Sequence, residues 1–199
     1  MSEATGVRPE THRIFIAVPI PEPVKDALER VQAELRRALA PRSVRWSRRD
    51  QLHVTLRFLG NVESQQVDEL IRSVRHACEA FGVLQLRAFR IGMFPSPNRP
   101  RVLWTGVADQ GHRLAALQRR VEEASAAFTH EKPEPAFVGH VTLGRCKAIT
   151  RRDASTLGAL AVSMERRSFG DWAADRVEII RSELGAGGSR HTTLAAAIL

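Results

Sequence analysis

Two four-residue segments in opposite halves of the 199-residue chain repeat one pattern: His53-Val54-Thr55-Leu56 and His140-Val141-Thr142-Leu143. Each reads as a strand. With a side-chain period of two, His and Thr project from one face while Val and Leu enter a core on the other. Each strand therefore offers an imidazole and a hydroxyl side by side, and two such strands could face each other across a cleft. Seven His and ten Thr would place His-x-Thr in the chain about 0.4 times by chance, yet it occurs three times, the third copy being His191-Thr192-Thr193-Leu194.

Paired imidazoles suit phosphodiester chemistry, which must deprotonate an incoming oxygen and protonate a leaving one. Near neutral pH an imidazole sits close to its ordinary pKa of about 6.5, and each general acid or base contributes about 10² to 10⁴ in rate. The hydroxyls of Thr55 and Thr142 are placed to donate to non-bridging phosphate oxygens as charge builds up. No metal or other cofactor is needed for this chemistry.

The elements that must position these residues follow from apolar periodicity. Residues 1–12 are polar and aperiodic and read as a loose arm, with 13–199 as one bilobal domain. Arg13 to Val18 reads as a strand ended by Pro19 and Pro21. Val24, Leu28, Val31, Leu35 and Leu39 recur at helical steps over 22–39. Val44 to Trp46 and Leu52 to Leu59 follow as strands, Gly60-Asn61 as a turn, and Ser64 to Cys78 as a helix. Val83 to Met93 and Val102 to Val107 read as strands about a proline-rich loop, and Gly111 to Phe128 as a helix. His140 to Cys146 is a strand, Asp153 to Leu160 a short helix, and three strands close the chain around 162–169, 176–184 and 191–199. This order predicts an α+β fold.

Composition narrows the setting. The chain carries +8 at neutral pH, and of its 30 basic residues only Lys25, Lys132 and Lys147 are lysine. Arginine forms planar two-point hydrogen bonds to phosphate, and a basic chain attracts polyanions, so a nucleic-acid or nucleotide partner is plausible. No apolar run approaches the roughly 18 residues of a bilayer span. The start lacks the pattern of an export signal, and Cys78 and Cys146 match no metal spacing. They read as thiols of a reducing compartment, and the expected setting is cytoplasmic, with no membrane association and no obligate protein partner.

These residues resemble the 2H phosphoesterases, and within them the bacterial RNA 2′,3′-cyclic phosphodiesterases, also called 2′-5′ RNA ligases. The likeness runs from Arg13 to Leu199. It includes Arg13-Ile14-Phe15, Val44-Arg45-Trp46, the block from Leu52 to Gly60, Gly92-Met93-Phe94-Pro95, Arg99 to Trp104, Phe137 to Arg145, and Ser182-Glu183-Leu184 ahead of Gly187-Gly188. The resemblance implies a bilobal α+β fold of two antiparallel sheets, with helices on their outer faces and one motif per lobe facing a central basic cleft. It implies opening of a terminal 2′,3′-cyclic phosphate on RNA to a 2′-phosphate without ATP. The counterpart reaction, attack by a 5′-hydroxyl, would form a 2′-5′ linkage.

The duplicated motif makes His53 and His140 the catalytic pair; the working assignment is His140 as base for water and His53 as acid for the departing oxygen, and the sequence leaves their order open, while the resemblance implies Arg145 as a phosphate clamp. Strict alternation would put Arg145 on the face opposite His140, so a bulge or the strand's end must re-aim it, or it is a surface residue. Arg57 shares a face with His53 and Thr55 and is a second candidate for phosphate. Phe15 and Trp46 are candidates for stacking on a base or are core aromatics. His191 falls where relatives carry an aromatic, so its motif reads as coincidental, and His12, His76, His112 and His130 read as surface residues. Gly139 stands where relatives usually have proline. Alternative substrates are a small cyclic nucleotide, an ADP-ribose cyclic phosphate or a 2′-5′ oligoadenylate; a non-catalytic RNA-binding module is the alternative of a different class.

Overall fold

The computed structural model describes residues 9–133, 136–185 and 188–199. Nine strands are arranged as β1 (Thr11–Pro19), β2 (Val44–Trp46), β3 (His53–Glu63), β4 (Leu84–Phe94), β5 (Val102–Asp109), β6 (His140–Cys146), β7 (Ser168–Ala174), β8 (Arg176–Gly185) and β9 (Gly188–Ile198). The helices are α1 (Glu22–Ala38), α2 (Val67–Cys78), α3 (Arg113–Ser125) and α4 (Arg151–Ser163), with short 3-10 turns flanking α2 and α3. The strand order is β7-β4-β5-β6-β3-β1-β8-β9, with β2 also paired to β6, and all pairs are antiparallel.

That path is two antiparallel sheets meeting at one seam. β7, β4, β5 and β6 form one lobe and β3, β1, β8 and β9 the other, joined between β3 and β6 by the pair Val54–Val141 alone. The whole is one continuous nine-stranded sheet across that seam, and β2 pairs with β6 alone, on the edge that faces β3.

The helices cross over. α1, which follows β1, packs on β7 of the opposite lobe; α3, which follows β5, packs on α2 and β3; α2 lies against β9. The α1 face that does this is the one legible in the sequence: Val24, Leu28, Val31 and Leu35 are buried. Arg36 and Arg37 in its last turn suit the negative end of the helix dipole. α4 begins at a capping box, Thr150 accepting from the Asp153 amide while Asp153 accepts from Thr150, and the same carboxylate takes the Ala40 amide at 3.1 Å. One side chain thus caps α4 and fixes the exit of α1.

Three local expectations are corrected. Gly60-Asn61 is not a turn: β3 continues through it to Glu63, paired with Arg13 and Ile14 of β1, and Gly60 takes φ +65° at an irregularity in that ladder. Thr11 and His12 belong to β1 rather than to a loose arm; residues 1–8 of that arm lie outside the described residues. The strand expected over 162–169 starts at Ser168, because the periodicity of α4 carries on to Ser163. Among the described residues no helix is long and apolar enough to cross a membrane.

Close packing ties the β4–β5 hairpin to the cleft. A Cβ added at Gly92 would collide with the Trp104 ring, so the indole lies flat on bare backbone, and its other neighbours include His140. Gly92→Ala should therefore displace Trp104 and cost about 1–3 kcal/mol, the usual penalty of overpacking. The check is a lower melting temperature than wild type, with the shift absent in a Gly158→Ala control, where an added Cβ meets open space.

Candidate active site

Both motifs repeat one burial alternation: His and Thr half-buried, Val and Leu buried. The Val54–Val141 pair turns both valines into the core, so His53, Thr55, His140 and Thr142 all emerge on the other face around the seam. In an antiparallel register His140 lies across from Thr55 and His53 across from Thr142. The two imidazoles occupy the diagonal positions, about 7–8 Å apart at the backbone in a regular ladder. Thr55, His140 and Thr142 line a cleft of about 940 Å³ together with Arg13, Arg57 and Arg145. His53 is not part of that lining; it sits at the cleft's edge.

His140 has a defined tautomer. Its Nδ1 lies 2.7 Å from the Val138 carbonyl, which can only accept, so Nδ1 carries the proton and the neutral ring keeps its lone pair on Nε2. Phe94 meets this ring edge-on at 5.2 Å. Gly139, just before it, packs where a Cβ would come within 2.8 Å of the Val107 carbonyl, so the segment is seated directly on β5.

His53 is enclosed differently. Its ring stacks on Phe15 at 4.8 Å, and His191 approaches both, 5.0 Å from Phe15 and 5.5 Å from His53. Burial first, then the neighbouring charges of His191, His140 and Lys25, push its pKa down to about 3, so the resting ring is neutral. His191 is also lowered by burial, against the opposing pull of Asp50.

Two bulges decide what else reaches the cleft. In β3, Ala17 pairs with Thr55 and Ile16 with Arg57, leaving Leu56 extra; in β6, Trp104 pairs with Thr142 and Leu103 with Gly144, leaving Leu143 extra. Each bulge sits three residues after the motif His and reverses the alternation beyond it. Arg145 is thereby turned into the cleft. On the other strand the residue so turned is Phe58, 47% exposed and lining the cleft, whereas Arg57 is 6% exposed. Arg57 reaches the cleft wall with its guanidinium bound to the Glu131 and Lys132 carbonyls at 2.6 and 3.0 Å, so it fastens the segment ahead of β6.

The β6 bulge has its own support. Gln32 of α1, buried, donates to the Leu143 carbonyl at 2.8 Å and the Ser47 carbonyl at 2.9 Å, and the Ser47 amide also donates to Leu143. Sequence reading missed Gln32 because its partners are far away along the chain; its one signal was a polar residue beside Val31 on the apolar face of α1. Neither stacking candidate stands free in the cleft: Phe15, 3% exposed, is the floor beneath His53, and Trp46 packs on the core with Arg36 over its ring. His191, half-buried, is a third ring in the Phe15 cluster.

Two imidazoles and two hydroxyls on one face, with cations at the rim, are the equipment of a phosphoester-processing protein, and known proteins of this kind are similar. Residues 18–104 match the family described as LigT like Phosphoesterase. An RNA 2′,3′-cyclic phosphodiesterase of Aeropyrum pernix is 36% identical over 135 residues, covering 65% of this chain and 69% of that one. One of Methanothermobacter thermautotrophicus is 29% identical over 182 residues, covering 92% and 96%. The crystal structure of TT0787 of Thermus thermophilus superposes with a TM-score of 0.77 at 26% identity, covering 94% of this chain and 97% of that one. Escherichia coli LigT complexed with 3′-AMP shares the fold, with a TM-score of 0.73 at 22% identity over 96% and 99% of the two chains. The chain belongs to the LigT-like phosphoesterase family.

The depressed pKa of His53 has a consequence for stability. The unfolded chain takes up a proton near pH 6.5, whereas the folded one resists until about pH 3. The unfolded state therefore binds more protons in between, and stability falls as pH drops below 6.5. His53→Asn should flatten the decline of melting temperature between about pH 6.5 and 5.5, above the range in which ordinary carboxylates titrate. An unchanged slope in that variant would contradict the assignment.

Proposed function

We propose that this chain is an RNA 2′,3′-cyclic phosphodiesterase that opens terminal cyclic phosphates to 2′-phosphates by two-histidine acid–base catalysis. The observation that carries the reading is the emergence of both His-x-Thr pairs on one face at the Val54–Val141 seam. The relatives named RNA 2′,3′-cyclic phosphodiesterase support the substrate class.

In this reading His140 is the base. Its Nε2 takes a proton from water as the water attacks phosphorus, while the Nδ1 bond to Val138 steadies the imidazolium that forms. His53 is the acid that protonates the departing 3′-oxygen. The resting ring is neutral, so the bound phosphate must supply its proton affinity: an anion beside the ring offsets the burial and the neighbouring cations that hold its pKa down. Thr55 and Thr142 donate to the non-bridging oxygens, and Arg145 neutralises charge on them. Bonds and protons balance, since one P–O bond forms to water as the P–O3′ bond breaks. A 5′-hydroxyl in place of water gives a 2′-5′ linkage by the same steps.

Phe58, the most exposed of the aromatics lining the cleft, rather than Phe15 or Trp46, is the one to stack on the terminal base. The ribose stays on the side of the departing oxygen, hence near His53 and its strand. The reaction requires no metal or other cofactor, and the unpaired thiols of Cys78 and Cys146 fit a reducing, cytoplasmic setting; burial pushes the Cys78 thiol up to about 11 and makes it inert.

His53→Ala and His140→Ala should each lower turnover of an oligonucleotide 2′,3′-cyclic phosphate at least 100-fold with the fold intact by circular dichroism. Near wild-type turnover in either would refute the roles. Turnover should persist in excess EDTA, with a 2′-phosphate as the product resolved by chromatography. Binding without product from the wild-type protein would favour an RNA-binding module instead.

A further inference from the structure

Beside the cleft two arginines face each other without a counter-ion among the described residues. Arg45 of β2 is directly paired with Arg145 of β6, and directly opposed residues of an antiparallel ladder place their side chains on the same face. Arg145 lines the cleft, and both residues are exposed. Neither has a hydrogen bond or an ion pair among the described residues. Nearby arginines are used differently: Arg49 is held by Glu22, Asp26 and Glu29, and Arg167 by Glu34.

Like charges directly opposed across a ladder are destabilising, so the free chain bears a repulsion that an anion between the two guanidinium groups would turn into attraction. Arg45 is also directed. A Cβ added at Gly188 in the β8–β9 hairpin, where φ is +112°, would lie 2.5 Å from its Nη2. The guanidinium therefore rests on bare glycine backbone of the opposite lobe instead of sweeping through solvent. It spans the side of the cleft, one ladder position from the arginine that reaches into it.

A mononucleoside cyclic phosphate brings one phosphate, which His53, His140 and the two threonines receive. An RNA end brings a second, one nucleotide along, and Arg145 cannot serve both alone. We propose that Arg45, acting with Arg145, holds the internucleotide phosphate next to the terminal nucleotide, so that the cleft takes polynucleotide ends in preference to mononucleotides. This rests on the cyclic phosphodiesterase reading and sharpens its substrate.

The test compares kcat/KM for a trinucleotide ending in a 2′,3′-cyclic phosphate with that for a mononucleoside 2′,3′-cyclic phosphate, in wild type, Arg45→Ala and Arg45→Lys, across a range of salt. Arg45→Ala should lose about tenfold on the trinucleotide and less than about twofold on the mononucleotide, with Arg45→Lys recovering only part of the loss, because lysine keeps the charge without the planar fork. The salt dependence of log kcat/KM on the trinucleotide should become shallower by about 0.7, the share of one single-strand phosphate contact. A trinucleotide-to-mononucleotide ratio unchanged in Arg45→Ala overturns the inference. Equal loss on both substrates also overturns it, leaving Arg45 as a strut for the hairpin. A wild-type protein inactive on both substrates refutes the reaction instead; affinities of wild type and Arg45→Ala for a trinucleotide 3′-phosphate then decide the arginine's role on their own.

Discussion

The seam between β3 and β6 is the constraint on which the rest depends. A single antiparallel pair, Val54 with Val141, joins the two sheets, and both valines are fully buried. Antiparallel pairing at the middle of each motif leaves no freedom about where the flanking residues go: two imidazoles and two hydroxyls must share the outer face. Neither strand alone holds a site. A one-residue slip at the seam would turn every one of these side chains into the core, so the chemistry is protected by the hydrophobic packing beneath it.

The two sides of the site are alike in backbone and unlike in chemistry. Each motif strand carries a bulge three residues after its histidine, and each bulge turns the residue two further on into the cleft. On one side this delivers the cation Arg145, on the other the aromatic Phe58. The imidazoles diverge as well: His140 opens to the cleft with its tautomer set by Val138, whereas His53 is stacked on Phe15 and kept neutral by burial. A duplicated scaffold has thus been made directional, with a polar side suited to an entering nucleophile and an enclosed side suited to a leaving oxygen.

What the sequence made legible was local. The motif strands, the apolar face of α1 and the α+β class follow from side-chain periodicity, and they stand in the structure with boundaries shifted by a few residues. The side of the sheet that Arg145 and Arg57 occupy did not follow, because the bulge at Leu143 is held by Gln32 and Ser47 and the one at Leu56 lies against β1, partners that no short window contains. Gly60-Asn61 misled for a related reason: a glycine with positive φ serves a turn or an irregular ladder equally well, and only the pairing with β1 distinguishes them. Phe15 was placed in its strand correctly, yet its burial under His53 depended on β8 and β9 arriving alongside.

That late arrival bears on how the protein is made. β1 lies between β3 and β8, Ile14 pairing with Arg181 near the far end of the chain, and α1 waits for β7. During synthesis β1 therefore has one edge unsatisfied until β8, more than 150 positions further along, has left the ribosome. Long-range closure of this kind slows folding and leaves a strand edge open to wrong partners. Arg13, exposed at the start of that strand, sets a charge beside the open edge, the kind of side chain that discourages edge-to-edge pairing.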